Sequence, residues 1–283
     1  PQDEQARVSS GRVLYASATA APGGDGSRSA PFNSLEALER ASSAGDDLVI
    51  LASPLDVAAL DGGIALKPHQ RLIGDGPNVL QFENNAPVKG ASALSELPRI
   101  RNTNISHLNG DAVRLSEANE VRNIVINESI RGAIYGLNSP NTVIQGNDIS
   151  GFNTICTIGF TVQPFVLPTV LPFIGAPILL PAGWAGIMVD ANSGAGKINI
   201  IDNYVHNSAC GNGIDIRISG NADYIAEVSG NNVQELEFGP LHQAGVHLVH
   251  AISLQVRNSG KLTANSKNNS QSYIGAEGAD CEG

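Results

Sequence analysis

From about Ile100 to His250 the apolar positions do not follow a helical period; they recur in short runs of three to five residues separated by asparagine and glycine. One unit returns with long and short spacers: a β-branched residue, two positions, Asn, one position, and another β-branched residue. It reads Ile144-Gln-Gly-Asn147-Asp-Ile149, Ile200-Ile-Asp-Asn203-Tyr-Val205 and Val228-Ser-Gly-Asn231-Asn-Val233, and a worn copy ends at Asn268 with Ser270 in the apolar slot. After a variable loop each unit leads into a second short strand, Gly186–Asp190, Gly213–Arg217 or Gly245–Val249. Two looser copies precede Ala112–Leu115 and Ala133–Gly136. Repeats of short strands at this spacing predict a β-solenoid, a stack of coils in which each coil covers the next. A buried amide at the same turn of every coil can bond the amides above and below it. Asn147, Asn203, Asn231 and Asn268 are therefore expected to form one ladder.

The Asn-bearing turn resembles the turn between the second and third strands of the right-handed parallel β-helix superfamily that includes pectate lyases. The Gly-Ile-x-Ile-x segments then resemble the first strand, and the variable loops the third turn. The resemblance covers roughly residues 12–280 and carries no catalytic motif of the family. It implies an all-β, single-domain right-handed parallel β-helix of about seven coils over residues 12–283, after a loosely held segment 1–11. A short capping helix is expected at Phe32–Ala41, where apolar residues fall at 32, 35, 38 and 41 and Asn33 or Ser34 can serve as N-cap. Early strands are expected near 12–16, 47–52, 63–66, 70–73 and 78–82, and later ones at Arg101–Ile105 and Val121–Ile126. A hairpin is expected at Asn258-Ser-Gly260. The last coil lacks an obvious cap, so a protein partner or further sequence is expected to cover it.

One loop departs from the repeat. Residues 152–185 contain no charged residue and five prolines, Pro164, Pro168, Pro172, Pro177 and Pro181, which forbid a regular helix and disfavour an interior strand. An irregular apolar flap is the expectation. It either packs on the wall of the solenoid or lines a ligand site with Phe160, Phe165, Phe173 and Trp184, or else meets a membrane or a second protein.

Alignment of Val113, Ile134, Ile187, Ile214 and Val246 as inward residues makes Arg114, Tyr135, Met188, Asp215 and His247 one outward row. Two positions on, Ser116, Leu137, Asp190, Arg217 and Val249 make another. Coils about 4.8 Å apart then put Asp215 against His247 and Asp190 against Arg217. A carboxylate beside an imidazole prepares an acid/base histidine. In the family this face, bounded by the third-turn loops, holds the substrate cleft. The register of this face points to a catalytic set of Asp215, His247 and Tyr135, with Arg114, Met188, Asp190 and Arg217 around the substrate. The bland alternative is a solvated row with two surface ion pairs. Two carboxylates are too few to call for calcium. No metal or other cofactor is expected, and His242 and His250 make no ligand set.

The net charge of −10 opposes binding to nucleic acid or an anionic surface. No proline-free apolar run is long enough to span a membrane as a helix. The chain begins at Pro1, so any signal peptide has been removed or was never part of it. Cys156, Cys210 and Cys281 cannot all pair with one another. Three free thiols are the simplest reading, although Cys156 and Cys210 fall in third-turn loops of consecutive coils and could meet. Three functions remain open for an extracellular or cell-surface protein. The first is a carbohydrate-active enzyme of lyase, epimerase or hydrolase type, without a redox cofactor. The second is a non-catalytic adhesin or autotransporter-like passenger. The third is an isomerase or cyclase that encloses an apolar small molecule under the flap.

Overall fold

The computed structural model describes residues 11–83, 86–89, 95–162, 180–239 and 249–274. Among these, the strands build three parallel sheets that the chain visits in rotation. The first sheet contains Ile64–Ala65, Val113–Leu115, Ile134–Leu137, Ala185–Ala191, Asn212–Ile218 and Ile252–Val256. The second runs from Val13–Ala16 through Asp47–Leu51, Arg71–Asp75, Glu120–Arg122, Thr142–Gln145, Ala195–Ile201 and Asp223–Ser229 to Lys261–Lys267. The third contains Arg99–Asn102, Val125–Ser129, Asp148–Ser150, Tyr204–Ser208, Asn232–Leu236 and Ser270–Ile274. All three sheets grow one strand per circuit, as a solenoid requires.

Apolar residues in equal register fill the interior. Val113, Ile134, Ile187 and Ile214 align in the first sheet, Val121, Ile144, Ile200 and Val228 in the second, and Ile126, Ile149, Val205 and Val233 in the third. All twelve are fully buried in one core. The turn from second to third sheet repeats as a pair: a left-handed residue, then the amide. The left-handed residues are Asn123, Gly146, Asp202, Gly230 and Asn268, with φ of 53–67°. Asn147, Asn203 and Asn231 follow, and each donates through Nδ2 to Oδ1 of the next amide at 3.0 Å. The last acceptor is Asn269, so the ladder continues one residue past the expected Asn268, which takes the left-handed position instead. At the other end Ile124 stands in the ladder slot and bonds Asn147 Oδ1 through its backbone N–H. The expected single strand Val121–Ile126 is therefore two strands divided by this turn.

Leu35–Ala41 is a helix capped by Ser34, whose side chain accepts from the Ala37 N–H. Leu35 and Leu38 are buried against the core that holds Leu14 and Leu48, and Glu39 Oε2 accepts the Ala65 N–H at 2.7 Å on the terminal strand of the first sheet. The helix thus covers the open end and satisfies one edge group, as edge strands demand. The final circuit is more exposed, with Tyr273 72% accessible. Gly260 belongs to a turn between two parallel sheets rather than to a hairpin.

Besides the short antiparallel pair of Ser53–Pro54 with Glu96–Leu97, two described segments leave the stack. The strand expected near 78–82 is Leu80–Glu83, which leaves the coils and pairs antiparallel with Ala86–Lys89 as an arm. The insert is regular at its base, where Ile158–Val162 pairs antiparallel with Leu180–Gly183, so it is not irregular throughout. A Cys156–Cys210 disulfide ties that base to the next circuit, in place of two free thiols. Cys281 and residues 1–10 lie outside the described residues.

Candidate functional site

The outer face of the first sheet carries the expected row over most of its length. Arg114 pairs with Tyr135, Tyr135 with Met188, and Met188 with Asp215 in strand register. In the second row Leu137 pairs with Asp190 and Asp190 with Arg217, whose Nε lies 3.4 Å from Asp190 Oδ1. The last step differs from expectation. The strand that joins Asn212–Ile218 is Ile252–Val256, which aligns Ile252 rather than Val246 with Ile214. Ser253 therefore takes the place assigned to His247 beside Asp215, and Gln255 the place assigned to Val249 beside Arg217. The cause is visible in the chain: Val246-His-Leu-Val and Ile252-Ser-Leu-Gln-Val share one alternation, and pattern alone cannot choose between them. His247, Phe165 and Phe173 lie outside the described residues, as does the side chain of Phe160.

Asp215 is 1% exposed on this outward row. Asn212 Nδ2 approaches its Oδ2 at 3.3 Å, while Oδ1 has no hydrogen-bond partner among the described residues. Burial pushes its pKa well above the usual carboxylate range, against smaller opposing effects from Asn212, Ser253 and Arg217. The physical cause is the cost of holding a charge away from water with too few donors. Burial thus favours the protonated, neutral form of Asp215.

Asn212 and His250 were not legible as site residues. Asn212 Nδ2 donates to Gly183 O at 2.8 Å and its Oδ1 accepts the His250 N–H at 2.7 Å, so one amide joins the end of the insert, Asp215 and the next circuit. His250 Nε2 is buried without a partner among the described residues, and burial lowers the imidazole pKa. Asn212 could have been read from its place one residue before the Gly-Ile-x-Ile unit. Nothing in the local pattern marks His250.

The other end of the row is aromatic and cationic. Trp184, the last residue before the Ala185–Ala191 strand, meets Tyr135 edge to face with centroids 5.4 Å apart. Arg131 lies 4.1 Å from the Trp184 ring and 5.2 Å from Tyr135, with Arg114 4.8 Å from Tyr135. Both guanidiniums are held by Asp111, which is fully buried and accepts from Arg114 Nη2 at 2.7 Å, Arg131 Nη2 at 2.6 Å and the Gly132 N–H at 2.9 Å. Arg114 Nη2 also donates to Leu108 O at 2.8 Å, so this arginine chiefly fixes the Tyr135 ring. A Cβ on Gly132 would lie 2.9 Å from Trp184 Nε1 and 3.2 Å from Asp111 Oδ1, which explains the glycine. Burial raises the Tyr135 pKa, helped by Asp190, so its phenol is a hydrogen-bond donor rather than a base. The arrangement offers a buried proton donor at one end, an ion pair beside it, and a rigid aromatic and guanidinium wall at the other.

No described helix is long and apolar enough to cross a membrane. No family model matches the chain, and no curated protein matches it. Among solved structures the chain is similar to the selenomethionine derivative of a GH136 lacto-N-biosidase from Eubacterium ramulus, with 11% identity, a TM-score of 0.39, and coverage of 96% of this chain and 69% of that one. The native form of the same protein matches with 10% identity and a TM-score of 0.33 over 91% of this chain and 60% of that one. Likeness at this level assigns neither a family nor an activity.

Proposed function

We propose that the protein is an extracellular carbohydrate-active enzyme that cleaves a glycosidic bond by general acid catalysis. Its body is one right-handed parallel β-helix domain of about seven coils, spanning residues 12–283. Right-handedness follows from the strong preference of parallel crossover connections. A disulfide favours an oxidising compartment, which supports the extracellular placement. One observation carries the chemistry: Asp215 is buried on the face beside the insert, its burial favours the neutral form, and its Oδ1 has no hydrogen-bond partner among the described residues. A neutral carboxyl donates a proton, whereas elimination and epimerisation begin with its removal by a base. Hydrolysis therefore fits Asp215 better than the lyase and epimerase alternatives do.

In this reading the bond between the anomeric carbon and the leaving oxygen breaks as that oxygen takes the Asp215 proton. Water supplies the new oxygen, and its proton passes to Asp190. The Asp190 carboxylate, set against Arg217, faces the positive charge that develops on the sugar ring. Tyr135, Met188 and Trp184 form the wall on which a sugar ring rests, and Arg114 positions Tyr135. No cofactor enters this scheme.

A second reading has its own support: Ala182, Trp184, Ala185 and Met188 form a buried apolar cluster with Tyr135 against it, which suits an apolar molecule protonated by the same Asp215. One assay separates the two. The wild-type chain and Asp215→Asn are incubated with neutral and acidic oligosaccharides and with linear polyenes, and products are resolved by mass. Reducing-end products that fall by about 10²-fold or more in Asp215→Asn support the hydrolase. Cyclised or isomerised polyene instead establishes the second reading, and turnover of neither class by the folded wild-type chain removes both and leaves a binding protein.

A further inference from the structure

The outer face of the third sheet holds a second set of buried polar groups that the chemistry above does not use. One outward row is Asn127, Ser150, His206, Gln234 and Ser272, and the row beside it includes Asp148, Tyr204 and Asn232. Asp148 and His206 are each 4% exposed, and Asp148 Oδ1 lies 2.7 Å from His206 Nε2. The imidazole stacks on Tyr204 at 3.9 Å with 20° between the rings. Gln234 donates to the Tyr204 hydroxyl and accepts from Ser272 Oγ at 3.2 Å.

Two atoms in this set are buried without a hydrogen-bond partner among the described residues: His206 Nδ1 and Asn127 Oδ1. In the neutral tautomer that donates from Nε2 to Asp148, Nδ1 keeps its lone pair and can accept. Asn127 Oδ1 can only accept. These two acceptors, unpartnered among the described residues, flank Ser150, which is their common neighbour in the row. Leaving a buried acceptor unpaired is costly, and a donor would recover that cost.

The arm that leaves the stack is the cover. Val79, Leu80 and Leu97 pack with Val125 and Tyr204, and Asn232 Nδ2 donates to Pro87 O at 3.1 Å. A groove of about 230 Å³ opens beside it between Asn78 and Leu80 on the arm and Arg122, Gln145 and Asp202 on the turns. Leu80 is thus shared by the groove wall and the cluster that contains Tyr204.

We propose that the arm and the outer face of the third sheet form a second ligand site, which takes a neutral, hydroxyl-rich molecule of the saccharide class with hydroxyls donating to His206 Nδ1 and Asn127 Oδ1. The chemistry of the rows selects this class. Amides, hydroxyls, an imidazole and an aromatic ring suit alternating donors and acceptors, while Asp148 repels anions. The cation at the groove, Arg122, is already paired with Glu120. The site stands on a different sheet from Asp215 and does not depend on its role.

The test is a titration of the full chain with cellobiose, lactose and N-acetylglucosamine, followed through the His206 ring nitrogens by NMR and through heat of binding. At least one sugar should shift the His206 Nδ1 signal to saturation. Asn127→Ala should weaken that sugar about tenfold without lowering the unfolding midpoint, since Oδ1 has no partner to lose among the described residues. Asp148→Asn should also weaken it, and Asp215→Asn should leave it unchanged. A His206 signal that no sugar moves, with Nδ1 exchanging only with bound water, makes the place a hydration site and overturns the proposal. Binding indifferent to Asn127→Ala overturns it equally.

Discussion

The two corners that flank the third sheet are built on opposite plans. On one side every circuit uses the same two residues, a left-handed residue and an amide, from Gly146-Asn147 to Asn268-Asn269. On the other side no two crossings are alike: one carries the insert, another is closed by Cys210, and a third runs through Gly239 toward His250. Each ladder amide bonds groups in neighbouring circuits, with Ile201 O and Ser229 O as additional local acceptors for Asn203 and Asn231. Asn153, just inside the insert, is buried with a left-handed backbone too, yet among the described residues its side chain bonds only Thr157 four residues away, through Oδ1 at 2.6 Å and Nδ2 at 3.1 Å. Repetition therefore stabilises the stack at one corner and frees the other to vary, and the chemistry collects where the chain varies.

The largest effect on stability is expected where the irregular corner is held by a covalent bond. Replacing Cys156 with Ser and Cys210 with Ala opens a loop of 54 residues in sequence separation, a loss of roughly 2–4 kcal/mol on the chain-entropy account. Denaturant midpoints report it, and an unchanged midpoint would mean that the bridge holds nothing the packing does not.

Next comes the ladder. Asn203→Ala should cost roughly 1–3 kcal/mol, because Asn147 and Asn231 each lose a partner in the interior. Combined with Asn231→Ala the cost should be non-additive by about 0.5 kcal/mol or more, whereas Asn153→Ala with Asn203→Ala should simply add. Additivity in both pairs would remove the distinction between the corners.

The smallest effect separates two adjacent residues. Asn268→Gly should change stability by less than about 1 kcal/mol, since glycine accepts the left-handed backbone. Asn269→Ala should cost more, because Asn231 then loses its acceptor. The reverse order would return Asn268 to the ladder.

These positions also show what was legible in the chain. The frame of inward Ile and Val with an amide between them is periodic, and the sheets, the register from Val113 to Ile214 and the Asp190–Arg217 pair follow from it. The errors arose where periodicity gives two answers or none. Two consecutive asparagines at 268–269 leave the frame open by one residue, and the degenerate Ser270 does not close it. Ile124 hides a turn by filling the slot of an amide. The Val246 and Ile252 segments compete for one register, and the choice exchanges His247 for Ser253 beside Asp215. The arm and the Asp148–His206 pair stand on an outward face, where nothing repeats for a pattern to catch.

The central claim is that Asp215 is a neutral proton donor, and its carboxyl carbon can be followed directly by NMR during a pH titration. The account predicts that it titrates well above ordinary aspartates, with the signal absent in Asp215→Asn. The sign of the linkage follows: the folded state keeps a proton that the unfolded chain releases, so this group contributes stability at acid pH that is lost as pH rises through its folded pKa. Asp215→Asn should flatten that decline. A carboxyl that titrates at or below the ordinary aspartate range, with unchanged pH dependence in the variant, would contradict the account.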